Sequence, residues 1–357
     1  MSINIVYHTW FNRIRQQRPH ERKPAVRNMA WLMTGILLSH SVHLSKIAGK
    51  IPGKAALNSV VRRLTRFLEN DAVRVRSWYE PVARKLLESQ ANSSRQIRLI
   101  VDGTKVGFGH QLLMISLAYR RRALPIAWTW VKSNRGHSSA HKQLAVLGYV
   151  YGLIPLNVPV LVVGDSEFGA VEVLRQLDKW RWQYVLRQKA NHLTKREGQD
   201  WQRFGDLIQK PGQSVWLGQA WFTEKHAYPV NLLAYWQIGE KEPWLLATNL
   251  PSLHMALSAY RRRMWVEEMF GDLKKHGFDL ENSHLQHFLR LSRLTLAVAL
   301  LYVWLVALGS QVVKNGQRHW VDRSDRRDLS IFRIGYNMIE RLLTNSLPFV
   351  IRLVPYY

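Results

Sequence analysis

The 357-residue chain has no cysteine. That excludes a disulfide framework, thiolate zinc sites and a cysteine nucleophile. Acidic residues are scarce: 25 Asp and Glu face 51 Lys and Arg, for a formal charge of +26. So large a surplus must lie mostly at the surface, because unpaired buried charge is too costly. Such a surface attracts polyanions and releases their counterions, which makes nucleic acid the natural partner. The first twenty residues lack the continuous apolar core and cleavage site of a secretory signal. The chain is therefore expected to stay in the compartment where it is made. Leu294 to Leu308 is nearly all apolar, but its 15 residues fall short of the ~20 that span a bilayer. It reads as a buried core helix, and no membrane partner is expected.

What is present sorts into regions. Residues 1–95 read as helical and basic, with 17 Lys and Arg against 5 Asp and Glu. Within them, Val60, Leu64, Phe67 and Leu68 form one apolar helical stripe. Arg62, Arg63 and Arg66 lie mostly off it, so one face can pack while the other meets phosphate. The pattern changes near Arg95. Ile97 to Val101 is a short β-branched run that reads as a buried strand ending at Asp102 and Gly103. Two further strands, Leu112 to Tyr119 and Ala123 to Val131, flank the basic turn Arg120, Arg121, Arg122 and suggest an antiparallel hairpin. A helix near 139–151, a strand over Val158 to Gly164, a helix over 170–180 and a strand over Gln183 to Arg187 complete a mixed α/β order. Residues 190–250 break that order with Gly, Pro and Lys turns and short strand-like pieces, a β-rich insertion. Helix is expected again over Leu253 to Lys275, Ser283 to Leu308 and Ile331 to Leu343, the last within a basic tail over 313–357.

Three carboxylates stand out. Asp102 and Asp165 each follow a strand, a placement at the sheet edge where α/β folds build sites. For one aspartate alone, a turn-forming role is the default. The helix from Leu253 adds to this. At ~100° per residue, with Tyr260 at zero, Arg263, Glu267 and Lys274 fall near 300°, 340° and 320°. These four polar groups share an arc of roughly 60°, beside an apolar stripe of Val266, Phe270 and Leu273. Glu268 points away. His137 and His141, four apart, lack a third ligand at zinc spacing and read as surface or DNA-contacting histidines.

Tyr260-x2-Arg263-x3-Glu267-x6-Lys274 resembles the Y-R-E-K pattern of the insertion-sequence-four family of bacterial transposases, and the segment from Tyr260 to Glu281 is similar over its whole length. The resemblance covers about residues 60–310. It implies an α/β fold: a ribonuclease-H-like mixed-sheet catalytic core (96–189 and 251–312), interrupted by the β-rich insertion and preceded by a helical DNA-binding domain. It also implies that Asp102, Asp165 and Glu267 form the catalytic triad and hold two Mg²⁺ ions, for which Mn²⁺ substitutes. Hard cations take carboxylate oxygens, and two such ions can activate the nucleophile and stabilise the leaving oxygen of a phosphodiester. Tyr260, Arg263 and Lys274 would hold phosphates of double-stranded DNA, both terminal inverted repeats and target. Trp244, in a run resembling the last strand of the family's insertion domain, would stack on a flipped base, with simple packing as the alternative. A homodimer on paired ends and a cytoplasmic, nucleoid-associated location are implied too. Two departures stand out. Ser166 replaces an arginine frequent after the second aspartate, and Glu167 adds a nearby carboxylate able to compete for metal. Two other readings share these residues: another ribonuclease-H-like nuclease, and an inactive or domesticated DNA-binding copy.

Overall fold

The computed structural model describes residues 2–107, 109–132 and 138–357. Five helices come first: α1 (Ser2–Gln17), α2 (Lys23–Ser39), α3 (Leu44–Ala48), α4 (Leu57–Glu69) and α5 (Val75–Ser94). In α4 the expected stripe is buried, Val60, Leu64, Phe67 and Leu68, while Arg62 and Arg66 are exposed. These helices join the same continuous apolar core as the rest of the chain. Tyr79 on α5, for example, donates a 2.6 Å hydrogen bond to the carbonyl of Pro125 in the sheet.

The sheet begins with three consecutive antiparallel strands, β1 (Ile97–Val106), β2 (His110–Tyr119) and β3 (Arg122–Lys132). Then come α6 (Ala140–Tyr151), β4 (Val160–Gly164), α7 (Val171–Lys179) and β5 (Gln183–Arg187). The pairs β1 with β4 and β4 with β5 are parallel. Parallel neighbours need a crossover, and α6 and α7 supply the two. Helices on both faces bury the strands, which is why β4 reads Val-Leu-Val-Val-Gly without alternation. Three antiparallel strands followed by two helix-linked parallel ones, in the order β3-β2-β1-β4-β5, make the expected ribonuclease-H-like core.

Five more strands follow: β6 (Leu193–Lys195), β7 (Gln202–Arg203), β8 (Ser214–Phe222), β9 (Tyr228–Tyr235) and β10 (Trp244–Thr248). They do not form a separate sheet. β10 pairs antiparallel with β5, and the ten strands run β3-β2-β1-β4-β5-β10-β9-β8-β6-β7. Thr248 fixes this junction by donating to the Tyr184 carbonyl at 2.6 Å.

The chain ends in α8 (Leu253–Tyr260), α9 (Trp265–Leu273), α10 (Phe288–Lys314) and α11 (Ile331–Thr344). The single helix expected over 253–275 is interrupted by a 3-10 turn at Arg261–Met264. α10 is long and apolar enough to cross a membrane by composition. Here it packs against α2, α4, α5, α11 and β3. Its one deeply buried charge, Arg293, donates to the carbonyls of Leu68 (2.7 Å) and Val73 (3.1 Å) and to Asp71 (2.8 Å). Those partners offset its desolvation. α10 and α11 touch backbone to backbone. A Cβ on Gly309 would lie 1.9 Å from the Ile331 carbonyl oxygen, and one on Gly335 would lie 1.9 Å from that of Leu305.

Candidate active site

The first carboxylate is placed by a mismatch in strand length. β1 is longer than its apolar run suggests, because β2 pairs with it as far as Val106. β4 stops earlier: the last β1–β4 partners are Val101 and Gly164. Asp102 therefore sits inside β1 but just past the parallel pairing, and Asp165 is the first residue beyond β4. The two lie side by side where the sheet opens.

Local hydrogen bonds hold each of them. Asp102 Oδ1 accepts from the Gly103 N–H at 2.7 Å. Asp165 Oδ1 accepts from the Ser166 N–H at 2.7 Å and caps a 3-10 turn over Ser166–Phe168. The third carboxylate arrives from the far end of the chain, on the first turn of α9. Val266, Met269, Phe270 and Leu273 bury one face of that helix, and Glu267 lies beside that face with its side chain half exposed.

Arg263, in the turn before α9, stands between all three. Its Nη2 donates to Asp102 Oδ2 at 3.0 Å and lies 3.5 Å from Asp165 Oδ2, while its Nη1 donates to Glu267 Oε1 at 2.7 Å. Burial pushes the Asp102 carboxyl up to about 6, against the opposing pull of Arg263 and the Gly103 N–H. Burial disfavours the Arg263 charge, but Asp102, Asp165, Tyr260 and Glu267 outweigh it and strengthen its hold on the proton. The three carboxylates and Arg263 line a cavity of about 460 Å³, joined by Gln111, Glu167 and Lys274.

Glu167 lines the same cavity, with both carboxylate oxygens engaged by neighbouring donors. Its Oε1 accepts from the Ser138 N–H (2.6 Å) and hydroxyl (2.5 Å), and its Oε2 from the Gln111 amide (2.8 Å). Gln143 on α6 in turn donates to the Ser138 and Glu167 carbonyls. Glu167 thus braces the turn that carries Asp165. Gly103 leaves room for this: a Cβ there would lie 2.3 Å from the Gln111 amide nitrogen. Gln111, Ser138 and Gln143 escaped the sequence reading because polar residues on a strand or helix carry no spacing signal. The hint available was Glu167 itself, two residues past Asp165 in a tight turn.

The other expected contacts are near but already engaged. Lys274 ends α9, donates to the Lys105 carbonyl at 2.6 Å and pairs with Glu281 at 3.1 Å. Tyr260 is buried with its ring 5.0 Å from that of Trp244, edge to face. Both line an adjoining cavity of about 490 Å³ with Arg187, Glu242 and Arg263. The break at 261–264 corrects the straight-helix geometry: a 3-10 turn advances ~120° per residue instead of ~100°. Tyr260 consequently opens on the neighbouring hollow, and Arg263 alone lines both. Glu268 faces the other way and pairs with Arg122 at 2.9 Å. His141 is exposed on α6, and His137 lies outside the described residues.

The donor set suits a hard divalent cation: three carboxylates share one cation position, which the Arg263 guanidinium holds. Among the described residues, no group of three or more acidic or histidine side chains is drawn closely enough together to hold a metal ion as it stands.

Among curated proteins, none matches this sequence. Among solved structures, the chain is distantly similar to the piggyBac transposase synaptic complex with hairpin DNA, at 9% identity and a TM-score of 0.42, over 97% of this chain and 83% of that one. The sequence model of the transposase DDE domain matches residues 94–304. That span holds both strands that place the aspartates and the helix that brings Glu267 to them, and by this match the chain belongs to the transposase DDE domain family.

Proposed function

We propose that the protein is an insertion-sequence transposase that cuts and rejoins DNA with Asp102, Asp165 and Glu267. The observation that carries this reading is their convergence: residues from β1, from beyond β4 and from α9 meet around one cation position in one open cavity. The Y-R-E-K spacing supports membership of the insertion-sequence-four group.

Two Mg²⁺ ions would be held by Asp102, Asp165 and Glu267. When bound, they would activate the attacking oxygen and neutralise the phosphate. Arg263 is then free to turn its fork onto a backbone phosphate. Lys274, released from Glu281, adds a second positive charge at the same cavity. Trp244 and Tyr260 offer an aromatic wall beside it, suited to a base drawn out of the stack. The proposed sequence is hydrolysis at the element end, attack of the freed 3′-hydroxyl on the opposite strand to give a hairpin, hairpin opening, and transfer to target DNA. The basic helices of residues 1–95 would bind the terminal repeats, with two copies of the chain on paired ends.

The test is cleavage of linear DNA bearing the element's own terminal repeats. Nicking at the repeat boundary in Mg²⁺, absent in Ca²⁺ and abolished by Glu267→Gln, is expected. Cleavage that survives Glu267→Gln would remove that residue from the assignment. Binding without cleavage would identify a DNA-binding relative that has lost catalysis.

A further inference from the structure

The β2–β3 hairpin carries an anomaly on the far side of the catalytic helix. Its two-residue turn is Arg120-Arg121, with Tyr119 paired to Arg122. Both turn residues have positive φ, 40° and 62°. A turn of this hand favours Asn-Gly, because side chains with a Cβ resist the left-handed region. Two arginines in that conformation mark a strained tip whose side chains matter more than its backbone ease.

The surroundings show what those side chains face. Arg122 is pinned beneath the tip by Glu268 at 2.9 Å and Asp272 at 3.3 Å, both on α9. Arg120 and Arg121 are exposed, and among the described residues neither is in an ion pair. They line a hollow of about 530 Å³ together with Arg327 and the segment Asp328 to Ile331 that leads into α11. The two carboxylates in its wall are already matched, Glu268 by Arg122 and Asp328 by Arg326 at 3.0 Å. Three guanidinium groups are left over. At the start of α11 the Ser330 hydroxyl accepts from the Arg333 N–H at 3.1 Å, and the first turn itself carries no acidic residue, so the helix end is a secondary attraction for an anion.

This hollow adjoins the others through one ridge. Arg263 lines the carboxylate cavity and the aromatic hollow, and Met264 lines the aromatic hollow and the arginine hollow. We infer that the arginine hollow is a second DNA subsite, in which Arg120, Arg121 and Arg327 grip backbone phosphates of the duplex that continues past the ridge from the carboxylate cavity. The inference rests on the transposase reading for its ligand. Forked guanidinium donors suit phosphate oxygens, and such contacts position a duplex without reading its sequence.

The test is the salt dependence of binding to a fluorescein-labelled duplex of arbitrary sequence, with the catalytic carboxylates intact. The variant is Arg120→Asn with Arg121→Gly, which installs the residues the turn favours. Its melting temperature should equal or exceed that of the natural chain, while the slope of log affinity against log salt falls by about 2, one unit for each phosphate no longer neutralised. The charge-keeping pair Arg120→Lys and Arg121→Lys should keep the slope. An unchanged slope in the Asn-Gly variant, or an equal loss in the Lys-Lys variant, would overturn the subsite. Absence of salt-dependent binding by the natural chain would instead overturn the transposase reading on which it rests.

Discussion

Arg263 and Asp102 are 161 residues apart in sequence, yet the Arg263 guanidinium donates to the Asp102 carboxylate at 3.0 Å. The same guanidinium reaches Glu267 and Asp165. An arginine thus neutralises the carboxylates that the proposed chemistry reserves for divalent ions. In this state it fills the cation position, and the proposed mechanism requires it to leave when metal and DNA bind.

Arg263→Ala should therefore separate two properties. Without DNA, the variant should bind Mg²⁺ about tenfold more tightly by calorimetry, equivalent to ~1.4 kcal/mol of lost competition. Its processing of end DNA should fall, because the phosphate partner is gone. Weaker Mg²⁺ binding in the variant would show that Arg263 organises the carboxylates instead of competing for them.

Asp272 gives a pH prediction away from the site. Burial pushes its carboxyl up to about 7, with Arg122 opposing and Glu268 adding to the rise. A carboxyl whose folded pKa is raised favours the folded state below its unfolded pKa, from 3.8 down. It loses that contribution as pH rises through the folded value. Asp272→Asn keeps a neutral amide throughout. The variant should match the natural chain near pH 4 and exceed it above pH 7, by on the order of 2–4 kcal/mol. Urea midpoints measured across that range would decide it, and parallel curves would contradict the assignment.

Gly335→Ala should cost about 2–3 kcal/mol by overpacking, since the new methyl would meet the Leu305 carbonyl oxygen at 1.9 Å. A fall of several degrees in melting temperature is the expected readout. No change would mean that α10 and α11 separate at this crossing without penalty.

Trp244→Ala should slow hairpin formation more than first-strand nicking, and Trp244→Phe should restore most of the loss. The ring sits at the wall shared with Tyr260, where stacking on a base is worth ~1–3 kcal/mol. Equal losses at both steps would assign it to packing.

Much of the site was legible from the chain because its signals are local. A β-branched run followed by aspartate locates Asp165 just past its strand and Asp102 just past the parallel pairing, though β1 runs on to Val106, since strand burial and turn chemistry are written over a few neighbours. Of the Tyr260, Arg263, Glu267, Lys274 line, the last three share one cavity, while the broken helix turns Tyr260 to the neighbouring hollow. The break itself was not legible: Arg261, Arg262 and Arg263 are good helix formers, and nothing local marks a tighter turn there. Nor was the brace on Glu167, whose three donors come from β2 and from the segment before α6.

The sequence by itself determined the basic surface, the mixed α/β order, the buried character of α10 and the three carboxylates with their arginine. Each depends on residue type and short-range period, which the chain carries before it folds. Tertiary structure alone decided that the insertion strands continue the core sheet, that Arg263 fills the space between three carboxylates, and that Glu167, lining the same cavity, is held by Ser138 and Gln111. It also set the Arg120-Arg121 tip against α11. Those outcomes depend on which distant surfaces can be buried together and which charges must then be matched, a condition on the whole chain that no short window contains.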